Sequence, residues 1–445
     1  MHSLVPARIA FATPFLLAGL ASAQQIKLNG PLARPLGGDV QDFFLTADDG
    51  YLLYRADQRT DDLFELFARP RTSVAPRRIS DGGPVTYSHP SLVAESRGRA
   101  LYVGGGRLFS AALDGGDVVE LTTALPDEAS VWSSNTSAGP DGIVLTPDES
   151  QVVFLVRQAG FQQYEIHVAP TLGGPSVRLD LPGTNPRHIR LAPDGSAVGF
   201  ASSTPKLELY RVPLAGGTAV KLTPDLFGSD KVEDTFEIDP LSRRVVFRAQ
   251  LAGATRSELF SVPLDGSAPP VRLAPGHSPI GGGLFPWFRI SADGARVVAL
   301  TKGREAISVS IDGGSPAVSL VPAMPSDRAF YGFLVSPDST TVLVNTDLLV
   351  ASEYAWLRVP IDGSAPAARL TGPTRSGVLS SDGASLLYAG ETSFGIHTVL
   401  LDGSAPPVFV APLVGGAYEI TFANGGDRVI AHAARTPDGP IEALT

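Results

Sequence analysis

One pattern returns along this chain at intervals of 44 to 51 residues. Its clearest copy runs from Arg190 to Thr223: RLAPDGSAVGFAS, a short break, then LELYRVPLAGGTAVKLT. Two short apolar runs flank Asp194-Gly195, and two more flank Gly216-Gly217. Runs of that length joined by turn residues read as two consecutive hairpins, four antiparallel strands in all. The first loop of each unit falls at Asp49-Gly50, Arg97-Gly98, Asp148, Asp194-Gly195, Ser242, Asp293-Gly294, Asp338, Asp382-Gly383 and Gly425-Gly426. Few architectures repeat a four-stranded sheet at such a period, and helical solenoids are not among them.

The strand after each loop is apolar on successive positions, as in Val152 to Val156, Val245 to Phe247 and Val342 to Val344. A strand covered on both faces reads that way. The third strand carries an ELY-like pattern (Glu165-Ile166-His167, Glu258-Leu259-Phe260), and the fourth ends in an RLT-like one (Lys221-Leu222-Thr223, Arg369-Leu370-Thr371). The reading is all-β: a single β-propeller of four-stranded antiparallel blades, spanning 24–445, with no helices. Counting loops gives nine blades. Propellers have about four to eight, so eight is the alternative, with the last hairpin packed outside the ring. The C-terminal unit lacks an outer strand. Gln25 to Asn29 resembles the RLT strand, and its pairing with the last blade would close the ring and hide two edges.

Residues 1–23 read as a signal peptide. Arg8 precedes an apolar run from Ile9 to Leu20, and Ala21-Ser22-Ala23 is a cleavage site that puts the mature start near Gln24. The run is too short to span a bilayer. A periplasmic or secreted protein, with no membrane span after cleavage, is therefore expected. There is no Cys, so stability rests on packing alone. The net charge of −10 argues against a nucleic-acid partner. A monomer is expected.

LTPDESQVVFLV (145–156), LAPDGSAVGFAS (191–202), ISADGARVVAL (290–300) and LSSDGASLLYAG (379–390) resemble the SPDG-x-x-IAF half of TolB-type, WD40-like propeller repeats. LELYRVPLAGG (207–217) and SELFSVPLDGS (257–267) resemble the other half. The likeness covers nearly the whole mature chain and implies the propeller fold; it does not specify a function. TolB itself carries an α/β domain before its propeller, whereas here the repeats begin close to the cleavage site. The chain is thus read as a relative of the repeat family and not as TolB. The same propellers precede serine peptidase domains, but no G-x-S-x-G elbow is present.

No catalytic motif stands out. The Asp-Gly loops offer one or two carboxylates each, too few for the six to eight oxygens of Ca²⁺, and Asp-Gly is the preferred residue pair of a type I′ turn. His89, His167, His188, His277, His397 and His432 show no metal-ligand spacing. His167 and His397 stand where other units place an aromatic ring, as packing residues. His89 and His188 are placed just before inner strands, near the channel mouth. No metal and no cofactor is assigned.

The hairpin turns are short and repetitive, whereas the links between second and third strands, and between blades, are longer and dissimilar. Binding groups concentrate on such loops when a rigid scaffold carries them. The candidate binding residues on this face are Trp132, Arg187, His188, Trp287, Arg328 and Tyr331, of types enriched at binding hot spots. Phe161 and Phe285 fall on the same links. The sequence therefore points to an exported non-enzymatic propeller that recognises a protein, peptide or glycan. A metal-assisted lyase or hydrolase at the channel mouth is the alternative, and an envelope scaffold is what the TolB resemblance implies.

Overall fold

The structure is a computed structural model. It describes residues 39–444 except 47, 49, 73–74, 82, 133, 137–138, 159, 161–162, 180–183, 204–205, 280–286, 375–376, 381, 391–394, 413–416, 423–428 and 435–440; for 134–136, 139–141 and from 411 onward it describes the backbone only. The proposed leader and the closing strand 25–29 lie outside the described residues.

Eight sheets follow one another, each running from an inner strand to an outer one in chain order. Blade 1 comprises Val40–Leu45, Tyr51–Ala56, Glu65–Pro70 and Arg77–Arg78. Blade 4 comprises Pro186–Leu191, Ala197–Ser202, Glu208–Pro213 and Val220–Lys221. Blades 2, 3, 5, 6, 7 and 8 repeat the plan from inner strands Val85–Ala94, Ile143–Leu145, Lys231–Ile238, Phe288–Ile290, Phe330–Val335 and Val378–Leu379. This is a propeller ring of eight four-stranded blades, the alternative count. The ninth repeat makes a three-stranded sheet, Ala417–Phe422, Val429–Ala434 and Ile441–Leu444, with no fourth strand among the described residues. It is not packed outside the ring: its first strand lies against blade 8 and its last against the inner strand of blade 1. One short 3₁₀ turn, Glu95–Arg97, interrupts the β-structure.

The core lies between blades. Along Gln151–Arg157, Val152, Phe154 and Val156 pack toward blade 2, while Val153 and Leu155 pack toward blade 4. Alternate side chains serve opposite neighbours, which is why the strand is apolar without alternation. Blade 5 does the same: Val245, Phe247 and Ala249 face blade 4, and Val246 faces blade 6. A cross-strand ring pair recurs in each of several blades, Tyr54–Phe67, Tyr102–Phe109, Phe200–Tyr210 and Phe247–Phe260 among them. His167 stacks on Phe154 at 5.8 Å and His397 on Tyr388 at 5.3 Å, so both imidazoles act as ring-shaped packing groups.

The ELY and RLT patterns have a joint explanation. The Glu that opens the third strand pairs with the basic residue of the two-residue outer strand: Glu65 with Arg78 at 2.8 Å, Glu208 with Lys221 at 2.7 Å, and Glu258 with Arg272. The Leu or Ile that follows is buried (Ile79, Leu222, Leu273), and the Ser or Thr hydroxyl accepts a third-strand N–H, from Leu66 to Ser80 at 3.1 Å. A short, charged outer strand also discourages edge-to-edge pairing with another chain.

Candidate ligand-binding face

Antiparallel order sends the two kinds of connection to opposite ends of the ring. At one end sit the hairpin turns. They are not the two-residue type I′ turns that Asp-Gly suggests: Gly195 has φ 73°, but Asp194 is absent from the positive-φ residues. The loop is longer. Gly195 N–H donates to Ala192 O at 2.8 Å, so the strand reverses through an ordinary turn followed by one left-handed residue. Glu149, Ser242 and Ser339 take that left-handed position in other blades at φ 56°, 57° and 61°.

Asp is needed in these loops as an acceptor. Asp338 Oδ1 accepts from Ser336 Oγ at 2.5 Å and from Thr340 N at 3.0 Å. A hydroxyl two residues upstream, then N–H or hydroxyl groups downstream, hold Asp48, Asp148, Asp338 and Asp382 below the usual carboxylate range, with Asp148 at about 2. Neighbouring turns are also tied to each other: Asp48 N to Glu95 Oε2, Ser96 N to Glu149 Oε2, Asp194 N to Ser242 Oγ, and Asp293 N to Ser339 Oγ. The acidic loops are thus committed to structure.

The opposite end carries the long links, and cations hold several of them. Lys206 Nζ reaches the carbonyls of Gly228 at 3.1 Å and of Leu226 and Asp230 at 3.4 Å. Arg304 Nη1 reaches Pro325 O at 3.1 Å, Ser326 O at 2.5 Å and Arg328 O. Arg107 Nη2 reaches Pro126 O and Asp127 O, both at 3.2 Å. In each case a cation between the second and third strands, or at the start of the third, clamps the link leaving its own blade.

Inner strands are bulged at a matching position near this end. Gln41, Thr86, His188 and Tyr331 each stand unopposed in the ladder, and blade 5 inserts Glu233, Asp234 and Thr235 opposite Arg248. Bulges re-aim side chains and recur beside functional sites. His188 has φ 51°, uncommon for a residue with a β-carbon. His89 and His188 therefore lie within inner strands and not before them, as the sequence suggests. His188 Nε2 is 3.4 Å from Asp234 Oδ2, across the blade 4–blade 5 boundary. Beside it, Arg248 pairs with Glu233 at 2.8 Å. His89 Nδ1 lies 2.9 Å from Ser91 Oγ, and burial lowers its pKa.

Two candidates meet on a residue that the sequence reading passed over. Trp132 meets Tyr164 edge-on at 5.5 Å, and the Arg187 guanidinium sits over the same ring at 5.2 Å. Tyr164 opens the third strand of blade 3 directly after a variable link. That position is the only signal that could have drawn notice to it. Trp132 is fixed, because its backbone N–H donates to Leu155 O at 2.9 Å and its indole lies against Gly142. A β-carbon at Gly142 would stand 2.6 Å from Trp132 O and 2.9 Å from Cδ1, and the residue has φ 93°, so only glycine fits.

The other three candidates belong to blades 6 and 7. Trp287 is half-buried against the core that includes Met324 and Phe333. Arg328 pairs with Asp327 at 2.7 Å. Tyr331 is 37% exposed and meets Tyr354 at 5.7 Å. Phe161 and Phe285 lie outside the described residues. Among the described residues, no three His, Asp or Glu side chains gather as a metal-ligand group. Nor is any described helix long and apolar enough to cross a membrane.

This geometry defines a β-propeller with one repetitive and one dissimilar end. No known protein family and no curated protein matches the chain. Solved structures do. A eukaryotic initiation factor aligns with TM-score 0.56 and 11% identity over 86% of this chain and 92% of its own. An oligogalacturonate lyase from Vibrio parahaemolyticus aligns with TM-score 0.43 and 11% identity, over 76% and 97%. A putative TolB from Agrobacterium tumefaciens aligns with TM-score 0.32 and 16% identity, over 53% and 79%. At these identities the likeness establishes the fold and leaves function to the site.

Proposed function

We propose that the chain is an exported, non-enzymatic propeller of the TolB-type repeat class, and that its link face recognises a protein, peptide or glycan. The observation that carries this reading is the preorganised corner where Trp132 and Arg187 converge on Tyr164. Aromatic and Arg side chains held rigidly on a loop face are the groups that dominate recognition. On the turn face, by contrast, groups such as Ser242, Ser339 and Asp338 are used in their own loops and in neighbouring ones.

The test is capture of the native partner from envelope extract by the mature chain, with mass spectrometry and metal analysis. Trp132→Ala combined with Tyr331→Ala should abolish capture while the melting temperature stays within a few degrees. Undiminished capture by the double variant removes the link face from consideration. A stoichiometric divalent metal lost on His188→Ala would replace this reading with the metal-assisted enzyme.

A further inference from the structure

At the corner between blades 3 and 4, two arginines reach no carboxylate among the described residues. The chain as a whole is acidic, at −10, and most of its described buried or half-buried Arg and Lys groups reach a carboxylate or a carbonyl. Arg157 and Arg187 make no ion pair among the described residues. Arg187 Nε is buried without a hydrogen-bond partner among the described residues, and its guanidinium rests on the Tyr164 ring. Arg157 is exposed and stands directly opposite both Ser130 and Tyr164 in the blade 3 ladder. Residues opposite each other share one face of the sheet about 5 Å apart. Ser130, Arg157 and Tyr164 thus form a row, with Arg187 at its far end. Beside the row lies a polar cleft of about 380 Å³, lined by Glu128, Ser130, Arg157, Gln158 and Gly160.

We infer that this corner binds an extended acidic segment of a partner protein, two of its carboxylates on Arg157 and Arg187. This rests on the link face being the binding face. The chemistry is that of charge-assisted guanidinium–carboxylate pairs, which favour planar, bidentate contact. In an extended chain alternate side chains point the same way, so two acidic residues separated by one can address two arginines on one face. Trp132 is 36% exposed, with one side against Gly142 and Tyr164 at its edge. The exposed part of the indole offers an apolar rim for an aliphatic side chain between two acidic ones. An acidic peptide is therefore favoured over an acidic saccharide.

The experiment titrates the mature protein with Ac-Glu-Val-Glu-Val-Glu-Val-NH₂ and with its Gln-for-Glu analogue, by calorimetry at two salt concentrations. The Glu peptide should bind at least roughly tenfold tighter, with affinity falling as salt rises. Arg157→Gln and Arg187→Gln should each remove most of that preference without lowering the melting temperature. Arg187→Glu should turn the preference toward a Lys-containing peptide. Equal binding of the two peptides, no binding of either, or unchanged preference in both Arg variants overturns the inference. So does tighter binding of an oligoglucuronate through the same two arginines. If the native partner is still captured while the Glu peptide fails, the acidic segment is wrong and the binding face stands. If capture and peptide binding both survive loss of Trp132 and Tyr331, the face itself is wrong.

Discussion

The turn end and the link end of this ring are the two ends of the same four-stranded blades, yet they satisfy their backbones differently. At the turn end a loop solves its problem locally: Ser291 Oγ, Asp293 Oδ1 and Ala295 N bond to one another within five residues. Blades 1, 3, 6, 7 and 8 share that solution, so this end is repetitive and those carboxylates are already committed. At the link end, segments of eight residues and more cannot close on themselves. They borrow distant donors, as Arg304 reaches across more than twenty residues to Pro325 and Ser326. Three blades use a cation for this, the other links differ, and a few groups, Arg187 above all, are left with unused capacity. Repetition consumes polar groups, whereas dissimilarity leaves some over, and those can serve recognition.

Four substitutions and a pH titration would break or sharpen this contrast. The largest effect is expected from Gly142→Ala at the link end. A left-handed backbone and a close approach to Trp132 O both oppose the added carbon, for about 3 kcal/mol. Thermal unfolding should show the loss, and near-ultraviolet dichroism should report a displaced indole. Next comes Arg304→Met, which strips three carbonyls of their donor at a cost of about 2 kcal/mol. Hydrogen exchange should rise in residues 322–329 and remain unchanged at the turn end.

Asp338→Ala should cost about 1 kcal/mol, because the neighbouring turns carry the same bonds independently. Acid should act on the turn end as a group. A carboxyl whose folded pKa is depressed contributes stability above its unfolded value, and that contribution disappears as pH falls through the folded one. For Asp148 the window runs from an ordinary 3.8 down to about 2. The melting temperature should therefore fall between about pH 4 and pH 2, and Asp148→Asn should shallow the fall slightly. A steep loss centred near pH 6 would instead implicate the histidines.

Much of the fold was legible because it depends on local repetition. Val152 to Val156 announced a strand buried on both faces, and the ELY and RLT patterns marked strands whose ends meet as ion pairs. The blade count was less legible. The loop spacing recorded nine units, but a period does not say how many strands each unit completes, and the last makes only three. The turn type was misread for a related reason. Asp-Gly fits several turns, and the choice depended on hydroxyls such as Ser336 that sit outside the pair.

Of the candidate site, the sequence supplied the residue types and the end of the ring on which they gather. It could not supply Tyr164, because the value of that ring comes from Trp132 thirty-two residues before it and Arg187 twenty-three residues after it. The repeat, the buried alternation and the edge-capping pairs are short-range matters, written wherever a strand and its neighbour are written. Which links meet, and which cations find no partner when they do, follows only once the ring brings separate blades side by side.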